Sequence, residues 1–118
     1  MKHILLTCAF AAGLMTAPAF AASSPDEAAQ TYTAVQKGQW GEAEKLLRQG
    51  LAQNPTDPQR LLNLAYVLQN TGRADEAMNL YGQVLQLDRN PRVEVGSDQT
   101  RAKSLARRRI AGIATTAH

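Results

Sequence analysis

A thirty-four-residue period constrains this chain more than any other feature. Gly38 recurs as Gly72 and Ala43 as Ala77, within the segments KGQWGEAEKLL (37–47) and NTGRADEAMNL (70–80). Periods of this length arise when helix-turn-helix units stack, because one unit cannot bury its apolar face alone. The sequence between these marks is therefore expected to supply two helices per unit.

It does so by spacing. A helix opening at Ser24, with Pro25 in its first turn and Glu27 in capping-box position, is expected to stop near Gly38. A second, over 41–53, sets Ala43, Leu46, Leu47, Gly50 and Leu51 at i, i+3, i+4 spacing and ends at NPTDP. Asp57 caps a third, with an apolar face of Leu61, Leu64, Ala65 and Leu68. After the NTGR turn a fourth presents Ala77, Leu80, Tyr81, Val84 and Leu85. No part of this body alternates with period two over a useful length, so the fold class is all-α.

The second unit resembles a tetratricopeptide repeat, whose pattern is W-x2-L-G-x2-Y, then A-x3-F, then P. Leu61, Leu64, Ala65 and Leu68 take the four first-helix positions, Gly72 the turn, and Ala77 with Tyr81 the A-x3-F pair; Arg89 replaces the closing proline. The first unit keeps Gly38, Ala43, Leu47 and Pro55 but has Glu27, Gln30, Thr31 and Ala34 where the pattern wants apolar residues. Terminal repeats are commonly atypical in this way. The resemblance covers about residues 24–91 and implies two antiparallel helix pairs in which small alanines permit close approach while Leu and Tyr fill the grooves.

Two repeats leave a face uncovered. The segment SDQTRAKSLARRRIAGI is expected to cover it as a helix capped by Asp98, with Ala102, Leu105, Ala106, Ile110 and Ile113 on one arc. Arg101, Lys103, Arg107 and Arg108 then form the opposite, basic face. Arg109 falls inside the apolar arc, so its stem should lie along a partner helix while its head reaches water. The preceding RVEV reads as a linker or a short extended piece, so 92–118 is linker, basic amphipathic capping helix and tail, following the repeats of 22–91.

Residues 1–21, MKHILLTCAFAAGLMTAPAFA, have a basic start, a short apolar stretch and an A-x-A end, the pattern of a secretory signal cleaved after Ala21. The apolar stretch is too short to span a bilayer. A lipoprotein signal ending at Cys8 fits less well, because LLTC leaves little apolar length before the cysteine and puts Thr7 where a smaller residue is usual. Export, to the periplasm, is the expectation. Cys8 is the single cysteine of the chain, so the exported part would have neither disulfides nor a cysteine metal site. Charge is uneven: residues 22–88 carry five basic and eight acidic side chains, residues 89–118 seven basic and two acidic.

Chemistry has little material here. With the leader gone, His118 is the remaining histidine, so His-based triads, cysteine nucleophiles and metal clusters are not expected, and neither is a cofactor. Asp75 and Glu76 read as an exposed helix start at the positive end of the macrodipole, and no Gly-rich phosphate loop occurs. The chain is not expected to be an enzyme.

Function then lies in surfaces. In tetratricopeptide proteins the first helix of each repeat lines a concave groove that takes a peptide or a partner helix. That resemblance points to Gln59, Leu62, Asn63, Tyr66, Gln69 and Asn70 in the second unit, and to Tyr32, Val35 and Gln36 in the first. Tyr32 and Tyr66, again thirty-four apart, either line the groove or cover neighbouring helices. Trp40 is expected to pack between helices rather than to contact a partner. The Lys and Arg with which some members grip a peptide terminus are missing from these positions. An alternative site is the face of Arg101, Lys103, Arg107 and Arg108, suited to an anionic envelope polymer or lipid surface, with nucleic acid less plausible; the competing reading is a solvated outer face. Self-association is a further expectation left open by the composition.

Overall fold

The computed structural model describes residues 25–116, in the order α1 (Pro25–Gln36), α2 (Trp40–Gln53), α3 (Pro58–Asn70), α4 (Ala74–Leu85), β1 (Arg92–Val95), β2 (Asp98–Arg101) and α5 (Ala102–Thr116). The expected leader, Ser24 and His118 lie outside the described residues. Each helix packs on the next, and α5 runs along α4 and reaches α3. The fold is all-α with one small hairpin.

The recurring glycines have a defined mechanical role. Gly38 and Gly72 take φ of 69° and 76°, the left-handed conformation that ends a helix without a Cβ penalty. In the first unit Gln39 N–H donates to Ala34 O at 2.8 Å; in the second Arg73 N–H donates to Leu68 O at 2.9 Å. These are the same closing bond shifted by thirty-four residues, and they satisfy carbonyls that would otherwise be orphaned at the helix end. One turn later Ala43 and Ala77 are both fully buried, where adjacent helices cross.

The core follows the expected faces. Leu61, Leu64, Ala65 and Leu68 are buried, as are Ala77, Tyr81 and Val84 on α4 and Ala102, Leu105, Ala106 and Ile113 on α5. Asp57 caps α3 through Oδ1, which accepts from Gln59 N–H at 3.0 Å, and Pro58 occupies the first turn.

The polar start of the first unit also has a structural reason. Glu27 and Asp57 flank Arg60, whose side chain is only 5% exposed: Nη2 donates to Glu27 Oε1 at 2.9 Å and Nη1 lies 3.3 Å from Asp57 Oδ2. Gly50 backs this cluster, and its carbonyl accepts from Arg60 Nη1 at 3.5 Å. A charge that removes this much surface from water needs such partners to be tolerated.

One expectation about the C-terminal segment is corrected and one alternative decided. Asp98 does not cap a helix but opens β2, and RVEV is the short extended piece rather than a linker: it forms β1, paired antiparallel with Val95 opposite Asp98 and Val93 opposite Thr100. Gly96, with φ of 62°, takes the first place of the two-residue turn, where hairpin twist calls for glycine. The capping role passes to Asn90, whose Oδ1 accepts from Lys103 N–H at 2.9 Å from outside the helix. Val93 is buried, so the hairpin is anchored to the core. Among the described residues no helix is long and apolar enough to cross a membrane.

Candidate functional site

A groove of about 360 Å3 runs between α1 and α3 and is closed at one side by β1 and α5. The sequence periodicity builds its two walls, because helices thirty-four residues apart are the equivalent first helices of stacked units. Tyr32, Val35 and Gln36 come from α1, and Gln59, Leu62, Asn63 and Tyr66 from α3. Leu47, Tyr81 and Leu105 supply its deeper apolar lining from α2, α4 and α5. Tyr32 is 58% exposed and is the largest apolar side chain so displayed among the described residues.

Two expected groove residues are elsewhere. Gln69 and Asn70 do not line the groove: Gln69 Oε1 accepts from the Tyr81 hydroxyl at 3.1 Å, and Asn70 Nδ2 donates to Tyr66 O at 2.8 Å. Both sit in the last turn of α3, where the α4 hydroxyl of Tyr81 engages the Gln69 oxygen and the local Tyr66 carbonyl takes the Asn70 amide. Gln59 borders the groove but is already engaged. Its carboxamide accepts from Glu94 N–H at 2.8 Å and donates to Glu94 O at 3.1 Å, while Nε2 also reaches Asn63 Oδ1 at 3.2 Å. Glu94 stands opposite Gln99 in a non-hydrogen-bonded pair of the hairpin, so its backbone groups face outward, and the glutamine satisfies both.

Tyr66 is the centre of an aromatic and cationic cluster. Its ring meets Trp40 edge to face at 6.2 Å between centroids and 64° between planes, so Trp40 serves inter-helix packing as its position implied. The guanidinium carbon of Arg109 lies 5.3 Å from the same ring. The Arg109 stem follows the apolar arc of α5, and its head enters the groove. Beneath it, burial raises the Tyr81 phenol above the ordinary tyrosine range, with Arg109 opposing and Tyr66 adding to the shift. Arg109 is half-buried on the apolar arc of α5 where helical spacing sets it, beside buried Leu105, Ala106 and Ile113, and the sequence assigns it no site.

The four cations of the alternative site do not form one helical face. Arg101 is on β2, with Nη1 donating to Asn90 O at 3.0 Å; Arg108 Nη2 donates to Thr100 Oγ1 at 3.3 Å. Lys103 is half-buried in the first turn of α5, and Arg107 is exposed. Between α2 and the start of α4 charges neutralise one another: Arg73 joins Glu44 and Glu76, and Arg48 joins Glu44 and Glu76. The Glu76 carboxyl is held below its usual range first by the hydrogen bond from Arg73.

Comparison with protein families matches residues 34–94 to the tetratricopeptide repeat. The matched span runs from the end of α1 through α4 into β1, so it contains both Gly-Ala marks and one complete wall of the groove. Neither the curated proteins nor the solved structures returned a match to the chain.

Proposed function

Because the chain belongs to the tetratricopeptide repeat family, we propose that it is an exported interaction module whose α1/α3 groove takes a peptide or a partner helix. Repeats of this family are in general non-catalytic scaffolds that mediate protein–protein interactions. One observation carries the reading: Tyr32, Val35, Leu62, Asn63 and Tyr66, from two equivalent helices, border a single groove with an apolar lining. Such a surface, apolar within and amide-edged, suits recognition of a polypeptide more than of a polyanion. The division of Arg101, Lys103, Arg107 and Arg108 between β2 and α5, with Arg101 and Arg108 already donating within the fold, favours the groove over the basic tail.

Export rests on the N-terminal twenty-one residues. Protein recovered from an envelope fraction is expected to begin at Ala22 by intact mass; a product that keeps Cys8 contradicts export by this route. The groove is tested by affinity capture from the same fraction with the wild-type chain and a Tyr66→Ala variant, followed by mass spectrometry. A partner held by the wild type and lost by a helical, folded variant is the expected result. Equal recovery by both places the binding surface outside the groove.

A further inference from the structure

Two charges of opposite sign border the groove without an ion pair among the described residues. Arg60 is matched by Glu27 and Asp57, but Arg109 has no hydrogen bond or ion pair among the described residues, its contact being the Tyr66 ring. A ring face accepts none of a guanidinium's five N–H donors in the way a carboxylate does, so a half-buried cation keeps them available. At the other end Glu94 borders the groove, with its backbone fixed by Gln59 and its exposed carboxylate in no ion pair among the described residues. Gln59 and Tyr66 mark the two ends and are seven residues apart on α3, which at the α-helical rise is about 10 Å. An extended chain covers that distance in about three residues.

We infer that the groove takes an extended peptide carrying an acidic residue against Arg109 and, about three positions away, a basic residue against Glu94. The inference rests on the groove reading above and adds the charge pattern and register of the partner. Stacking on Tyr66 restrains the Arg109 head before binding, which lowers the ordering cost that a free arginine incurs. Val35 and Leu62 between the two charges contact the intervening side chains, whose alternation in an extended chain sends every second one to the groove floor. A carboxylate at Arg109 can come from Asp or Glu, or from a chain terminus, and these sources are separable by experiment.

The test is selection from a displayed library of random short peptides against protein produced from the full-length chain. Peptides that also bind Tyr66→Ala are discarded. The retained set is expected to be enriched in an acidic and a basic residue at a fixed separation of about three positions. Enrichment confined to the last residue identifies the terminus as the carboxylate source; enrichment of internal Asp and Glu identifies side chains. Selection against Arg109→Glu is expected to exchange the acidic position for a basic one, and selection against Glu94→Lys to exchange the basic position for an acidic one. Arg109→Gln, which keeps most of the side-chain bulk, should weaken wild-type peptides by roughly tenfold or more without gaining basic ones. A retained set with no charge preference, or one unchanged by either charge reversal, overturns the inference while leaving the groove reading intact. A library that yields no Tyr66-dependent peptide overturns the inference, and equal capture of a protein partner by wild type and Tyr66→Ala overturns the groove reading as well.

Discussion

Gly50→Ala inverts the usual effect of replacing a helical glycine. In an open helix position alanine gains about 1 kcal/mol over glycine. At Gly50 the added Cβ would overlap Arg60 Nε and lie 2.7 Å from both Arg60 Cζ and Glu27 Oε1. The Arg60 head has nowhere inexpensive to go, because its side chain is 5% exposed and is held by Glu27, Asp57 and the Gly50 carbonyl. Moving it disrupts a buried ion pair, for which the cost of breaking is about 3–5 kcal/mol. Offset by the propensity gain, the net loss is about 2–4 kcal/mol, a fall in Tm of roughly 10–25 °C for a domain of this size. Gly112→Ala is the control: it is exposed inside α5 with nothing within 4 Å of its new Cβ, and it should raise Tm by a few degrees. Thermal melts followed by far-UV circular dichroism, which reports secondary structure, compare the two. A Gly50→Ala protein that melts at or above the wild-type temperature would refute the role given to the Glu27–Arg60–Asp57 cluster.

Ala77→Leu should destabilise by about 1–3 kcal/mol in urea titration, since extra methylenes at a fully buried crossing force α3 and α4 apart. Gln59→Ala removes both bonds to the Glu94 backbone, so amide exchange at Glu94 should quicken by roughly tenfold while the helices, which keep their own bonds, melt within a few degrees of wild type.

Repeats were legible because their evidence is periodic: two glycines, two alanines and two tyrosines at one spacing each reinforce the same register. The closing bonds after Gly38 and Gly72 are the physical origin of that period. The hairpin was harder to read, since each strand has four residues and only Val93 and Val95 alternate inward. Its turn did carry a signal, Gly-Ser between two short runs, which outweighs the apparent Asp98 cap. Other features depend on residues far apart in sequence. Arg60 and Glu27 are 33 positions apart and meet because the units stack, so the acidic residue that weakens the repeat pattern is the one that neutralises a buried arginine. Asn90 as a cap for α5 is equally non-local. Of the nine groove residues that the repeat resemblance implied, seven border the groove, while Gln69 and Asn70, in the last turn of α3, are engaged by Tyr81 of α4 and by the Tyr66 carbonyl. The apolar arc flagged Arg109; only packing against Tyr66 shows where its charge goes.

The central claim is that the partner sits between α1 and α3, and site-specific photo-crosslinking in living cells tests it most directly. A photoreactive phenylalanine analogue is placed at Tyr32, exposed at the groove mouth, or at Gln49, exposed on α2 and absent from the groove lining. A covalent adduct of defined mass at position 32, absent at position 49, is the predicted result; adducts at 49 with none at 32 would contradict it.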